Sequence, residues 1–125
     1  MKSKKNAPQQ RVRRDGAEMT FQVQVFLIPE GDAYVAYAPA LELSTYGDSV
    51  EDARQAFGEA LDTFVQDTQA KGTLEKVLLA LGWKLQQRPV INYEPPSPPL
   101  EFLNDIGRGK RAFQTVNQPM KLAFA

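Results

Sequence analysis

Carboxylates are the most concentrated chemically reactive side chains in this 125-residue sequence. Residues 17–82 contain eleven Asp or Glu and three Lys or Arg, a net charge of −8. Clustered carboxylates can hold metal ions, transfer protons or attract a basic partner. The sequence has no His and no Cys, which excludes His-activated nucleophiles, thiolate metal sites and disulfides. We therefore predict no catalytic residue, no metal ligand and no cofactor, and we expect the carboxylates to form a charged surface.

Basic side chains concentrate at the two ends of the chain. Residues 1–16 have a net charge of +5 and residues 83–125 a net charge of +3. The first segment could contact phosphate, but a solvated, disordered tail is the simpler interpretation. The sequence GRGKR at residues 107–111 departs from phosphate-loop spacing, because Asn104 and Arg111 stand where that motif requires Gly and Ser or Thr. The basic residues of the first segment are Lys2, Lys4, Lys5, Arg11, Arg13 and Arg14.

Three strands are predicted before the most acidic segment. Apolar residues alternate in residues 19–28, which indicates a strand with one buried face and one mostly wet face. Residues 33–38 are a short β-like run, and residues 41–46 are a second run with Leu41, Leu43 and Thr45 on one face. Turn residues separate these strands at positions 29–32 and at Pro39. Gly47 ends the third strand. The expected arrangement is an antiparallel three-stranded meander.

A long helix is predicted to begin at Val50, because apolar residues then recur at steps of three and four. Ser49 is suited to cap its first turn, and Gly72 to end it. A short second helix is predicted at residues 74–81, with Thr73 as its cap. The residues predicted to be structural are Gly31, Pro39, Gly47, Ser49, Phe57, Gly72 and Trp83.

The last third of the chain changes character. Five of the nine prolines lie in residues 88–99, which predicts an extended connection. Residues 100–106 are expected to form one or two helical turns, and residues 120–125 a strand that buries Leu122 and Phe124. The predicted fold class is therefore α+β: the meander, a long helix packed on one face, a short second helix and a C-terminal strand.

The patterns divide the chain into a disordered basic tail (residues 1–16), a folded domain (17–83) and a proline-rich connection with a terminal strand (84–125). A terminal strand on such an arm can reach a neighbour's sheet, so we expect a homodimer or a higher homo-oligomer. No apolar run is long enough for a signal peptide or a membrane span, and we expect a cytoplasmic protein without membrane contact.

Several short motifs make the central region recognisable. They are Gly31, YVA at residues 34–36, PAL at 39–41, STYGDS at 44–49, EDA at 51–53 and LGW at 81–83. With them, residues 21–83 resemble the HicB family, the antitoxins of type II toxin–antitoxin pairs. The resemblance implies a partial ribonuclease H-like fold. It also implies a HicA-type toxin as the partner, a small basic RNA-cleaving protein that HicB binds and blocks.

The predicted partner-binding residues belong to the acidic helix and the strands before it. Complementary potentials would speed the association of an acidic domain with a basic toxin. Each residue also has a plainer interpretation, as the solvated side of an amphipathic helix or as a packed aromatic. The predicted residues are Tyr37, Tyr46, Asp48, Glu59, Asp62 and Asp67.

Many HicB proteins have a helix-turn-helix or ribbon-helix-helix module after the antitoxin domain. Residues 88–125 show neither pattern, which leaves DNA binding through such a module in doubt. Two other functions are open. A metal-dependent nuclease would need carboxylates on the central strands, and residues 19–28 contain none. An orphan HicB-like module could instead contact nucleic acid through its basic termini, with Tyr34, Tyr37 and Tyr46 stacked on bases.

Overall fold

A five-stranded antiparallel sheet lies at the centre of the computed structural model, which describes residues 11–13, 18–109 and 112–124. A long helix packs on one face of the sheet and a short second helix follows it, so the predicted α+β fold class is confirmed. In chain order the elements are β1 (Arg11–Arg13), β2 (Glu18–Glu30), β3 (Ala33–Ala38), β4 (Leu43–Gly47), α1 (Val50–Ala70), α2 (Leu74–Ala80), β5 (Lys84–Gln86), β6 (Asn92–Glu94), α3 (Leu100–Gly107) and β7 (Gln114–Ala123).

The longest strand, β2, lies in the middle of the sheet. Its second half pairs with β3, which pairs in turn with β4, and these three strands are the predicted meander. Along its other edge β2 pairs with β7 over residues 18–27. Phe26 thus lies between Tyr37 of β3 and Thr115 of β7. The register is strongly specified, because a slip of one residue would turn the buried side chains of β2 towards solvent.

The third and last strands differ from their predicted bounds. Leu41 and Glu42 form a turn before β4, with their amides donating to the carbonyls of Ala38 and Pro39 at 3.1 and 3.3 Å. The last strand begins at Gln114 rather than at residue 120. Residues 114–119 are mostly polar, and they are part of the strand because they pair with β2.

The inner face of the sheet packs against α1, and α2 packs against α1 and β5. Phe57 and Leu61 of α1 join the core on this face, and Leu122 of β7 is fully buried as predicted. Phe124 is only partly buried, with its ring centroid 5.6 Å from that of Tyr93. The inward-facing residues of β2 alternate along the strand: Met19, Phe21, Val23, Val25 and Leu27.

The ends of α1 follow the predicted capping pattern. The hydroxyl of Ser49 accepts a hydrogen bond from the amide of Asp52 at 3.1 Å. Gly72 follows the helix in the left-handed conformation, with φ of 69°. The prediction that Thr73 caps α2 is wrong. Its backbone is not extended, and its hydroxyl donates instead to the carbonyl of Thr68 at 3.5 Å.

A hairpin of β5 and β6 occupies part of the stretch predicted to be an extended connection. Its anchor is Tyr93, whose buried ring stacks on Phe21 at a centroid distance of 5.4 Å. The Tyr93 hydroxyl donates to the Glu75 carboxylate at 3.0 Å and accepts from Gln87 at 3.1 Å. Burial, and then the Glu75 carboxylate, raises the pKa of Tyr93 to about 12.

Trp83 connects the end of α2 to the turn before β4. Its side chain is buried, and its Nε1 donates to the carbonyl of Ala40 at 2.8 Å. The indole therefore packs in the core with its one polar group paired.

The outer face of the sheet is partly covered by α3. Phe26 is buried although it lies on the face predicted to be mostly wet. The ring of Phe102, on α3, meets the ring of Phe26 edge-on at 5.0 Å and the ring of Tyr37 at 5.3 Å. Phe26 is thus an apolar exception on a face predicted to be mostly wet, because the chain returns α3 to this face.

The predicted disordered tail, residues 1–16, lies mostly outside the described residues. Its described part, Arg11–Arg13, forms β1 and pairs with residues 18–20 of β2, so these three residues differ from the prediction. At the other end, β7 belongs to the same sheet as β2. The folded unit therefore continues beyond the predicted boundary at residue 83.

Candidate partner-binding surface

The acidic residues predicted on α1 lie on its solvent side. Glu59, Asp62 and Asp67 are all exposed, whereas Phe57 and Leu61 face the core. Glu59 and Asp67 are about 12 Å apart along the helix axis, at 1.5 Å per residue. The carboxylate of Asp67 lies 3.2 Å from the Lys71 ammonium, which offsets part of its charge. We call these three carboxylates the acidic line of α1.

The three tyrosines Tyr34, Tyr37 and Tyr46 are divided between the two faces of the sheet. Tyr37 lies on the outer face, half-buried against Phe102. Tyr46 lies on the outer face as well, because it pairs with Val35, but 65% of its surface is exposed. Tyr34 packs against the core on the inner face. The three rings therefore form no common platform on which bases could stack.

Tyr46 and Asp48 meet in a shallow depression of about 390 Å³ where β4 ends and α1 begins. Ala33, Gly47 and Asp52 complete its lining. Asp52 is not among the predicted site residues. A carboxylate in the first turn of a helix is already explained by its favourable interaction with the helix dipole. The depression brings two acidic residues next to an exposed aromatic ring, and we call it the corner depression.

Close packing of β4 against the first turn of α1 builds the corner depression. Gly47 permits this approach, because a Cβ atom there would lie 2.7 Å from the carbonyl carbon of Asp52. The Thr45 hydroxyl donates to the carbonyl of Ala53 at 3.0 Å, and Ser49 caps the same turn. The chain at Asp48 and Asp52 is therefore positioned by backbone packing, before any ligand arrives.

Two carboxylates beside an exposed ring suit a cationic group. Carboxylates accept charge-assisted hydrogen bonds from guanidinium and ammonium groups, and the face of a tyrosine ring attracts the same cations. Within the described residues, no group of three or more carboxylates could hold a metal ion. None of the described helices is long and apolar enough to cross a membrane.

The basic segments lie largely outside the described residues. These undescribed positions are Lys2, Lys4, Lys5, Arg14, Lys110 and Arg111. Arg108 is described, and its guanidinium lies 2.9 Å from the Asp105 carboxylate in an exposed ion pair. The described part of residues 84–124 forms the β5–β6 hairpin, α3 and β7, without a helix-turn-helix.

Comparisons with protein-family models, with curated proteins and with solved structures found no match. Function is therefore inferred from the corner depression, from the charge distribution and from the motifs between residues 31 and 83.

Proposed function

We propose that the protein is a HicB-like antitoxin that binds and neutralises a small basic RNA-cleaving toxin of the HicA type. The observation that supports this most is the corner depression, where Asp48 and Asp52 lie beside the exposed ring of Tyr46. The acidic line extends the negative charge along α1. A protein surface that holds RNA phosphates is basic, and an acidic surface complements it.

Neutralisation on this proposal requires no covalent step. Lys or Arg side chains of the toxin that would otherwise contact RNA phosphate bind the carboxylates of Asp48 and Asp52 instead. Toxin bound in this way has its RNA-binding surface covered. Inhibition is therefore competitive with RNA.

Calorimetric titration with a HicA-type toxin tests the proposal. Replacing both Asp48 and Asp52 by Asn should weaken binding by about tenfold or more, because hydrogen bonds to charged groups contribute roughly 1.5–3 kcal/mol each. The matched control is Asp105→Asn, the same chemical change on an exposed carboxylate of α3. It should leave the affinity within about twofold. No binding by the unchanged protein, or equal losses in the two variants, would contradict the proposal.

A further inference from the structure

Three strands in the described part of the chain have a neighbouring strand on one side only. The shortest is the three-residue β1, and the two longer edges are formed by β4 and β7. An edge strand presents backbone N–H and C=O groups that no neighbouring strand satisfies, so it can pair with another chain. The two edges differ in how well they are protected against such pairing.

The edge formed by β7 is protected. The side-chain amide of Gln69 reaches over from α1 to Ala123: its Nε2 donates to the Ala123 carbonyl at 2.8 Å, and the Ala123 N–H donates to its Oε1 at 3.3 Å. Ala123 therefore turns its backbone groups away from β2, as does every second residue before it. Two of these are Lys121, which is charged, and Pro119, which has no N–H to offer.

The edge formed by β4 has no such protection. Successive residues of an antiparallel strand direct their backbone groups to opposite sides. From the register of β7, β2, β3 and β4, the residues of β4 that hydrogen-bond to β3 are Leu43, Thr45 and Gly47. Ser44 and Tyr46 therefore direct their N–H and C=O groups outward, and both residues are exposed. No residue of β4 is charged, and none is proline.

Charges at the ends of β4 select what can pair with it. Glu42 precedes the strand, and Asp48 and Asp52 lie at its other end. A second copy in antiparallel pairing, with its Tyr46 opposite Ser44, would place its Asp48 opposite Glu42. Like charges directly opposite are unfavourable. An extended segment with Lys or Arg would meet opposite charge at both ends.

We propose that β4 is the addition site for an extended basic segment of the partner protein, which joins the sheet as a further strand. The backbone groups of Ser44 and Tyr46 hold the main chain of that segment. One of its Lys or Arg side chains enters the corner depression between Tyr46, Asp48 and Asp52. The basic character of the partner rests on the proposed function, whereas the free edge does not.

A synthetic peptide of alternating valine and lysine tests this site without any toxin. In the full-length protein it should shift the NMR signals of the Ser44 and Tyr46 amides and slow their hydrogen exchange. The matched probe is the same peptide N-methylated at every residue, which keeps its charge but has no backbone N–H to donate to a strand on either edge. We expect it to bind about tenfold more weakly or worse. Equal binding of the two peptides, or shifts confined to β7 or α1, would overturn the proposal.

Ser44→Pro gives the corresponding change in the protein. It removes one outward N–H and leaves the pairing of β4 with β3 in place, in the manner of Pro119 in β7. Peptide affinity should fall by about fivefold or more, whereas Ser44→Ala, the control, should change it by less than about twofold. Equal affinities would count against the site. If Ser44→Pro disrupts β4, the two peptides on the unchanged protein still decide the question.

The two proposals fail separately. Peptide pairing at β4 without toxin binding would keep the strand-addition site and remove the antitoxin function. Toxin binding without any change at the Ser44 and Tyr46 amides would do the reverse. Protection of those amides before peptide is added would show that the edge is already occupied, and would also overturn the inference.

Discussion

Gly47 is the residue on which the shape of the corner depression depends most directly. A Cβ atom there would lie 2.7 Å from the Asp52 carbonyl carbon and 2.8 Å from the Ala53 Cα. We expect Gly47→Ala to lower the free energy of unfolding by about 1–3 kcal/mol, because β4 and α1 must move apart.

Gly58→Ala is the matched control for that change. Its added Cβ would meet the Gln118 side chain at an ordinary 3.5 Å, and within α1 alanine is favoured over glycine by about 1 kcal/mol. Urea unfolding should therefore show opposite signs for the two variants. The same sign and size in both would contradict the close approach at Gly47.

Tyr93 predicts a pH dependence at the alkaline end. The unfolded phenol loses its proton near pH 10, whereas the pKa of folded Tyr93 is raised to about 12. Stability from the neutral phenol is therefore fully present below pH 10 and is lost as pH rises towards 12. Tyr93→Phe should reduce this loss in unfolding measurements, and Tyr46→Phe, on an exposed ring, should not. An unchanged pH dependence in Tyr93→Phe would contradict the assignment.

Single residues were predictable from the sequence where their partners are close in the chain. Ser49 and Gly72 act on the helix turns beside them, so local capping chemistry is sufficient to assign them. Phe26 and Asp52 were not predictable in the same way. Phe26 is covered by α3, and Asp52 shares the corner depression with Ala33. Such contacts leave no local pattern.

The acidic line of α1 is expected to steer the toxin towards the protein. Replacing Glu59, Asp62 and Asp67 by Lys should slow association with the toxin by about tenfold or more at low salt, because exposed charges steer the encounter. The difference from the unchanged protein should shrink as salt rises. Stopped-flow fluorescence measures both effects. Equal association rates at low salt would show that this helix does not guide the partner.

The strand β7 contributes strongly to the sheet. Deleting residues 118–125 removes Met120 and Leu122, both fully buried, and leaves much of one edge of β2 unpaired. We expect a loss of at least about 4 kcal/mol in the free energy of unfolding, since each large buried side chain contributes roughly 2–5 kcal/mol.

Light scattering on the same deletion tests the expected homo-oligomer. In the structure β7 pairs with β2 of its own chain, so oligomerisation does not require strand exchange. A fall in mass would assign β7 to a subunit contact as well. An unchanged oligomer with unchanged thermal stability would show that β7 neither completes the sheet nor joins subunits.

Elements with a clear period were predictable, and those fixed by distant contacts were not. The alternation in β2 and the three- and four-residue steps of α1 give both elements within a few residues of their bounds. The β5–β6 hairpin lies partly in a proline-rich stretch and depends on Tyr93 packing against Phe21. The first half of β7 has only Val116 as an apolar residue before Met120, so its alternation is weak.

Charge is segregated along the chain. The residues from 17 to 82 are strongly acidic, while both termini are basic. The exposed carboxylates of α1 and the corner depression both belong to this acidic segment. On the proposed function, a basic partner would be attracted to the region where the edge of β4 lies.

RNA cleavage by the HicA-type toxin, measured at increasing amounts of the protein, tests whether the protein neutralises the toxin. We predict that cleavage stops at about equimolar protein, because a bound antitoxin covers the RNA-binding surface. The variant with Asn at both Asp48 and Asp52 should need about tenfold more protein, and Asp105→Asn should behave like the unchanged protein. Cleavage that continues at full rate with the unchanged protein in excess would contradict the claim.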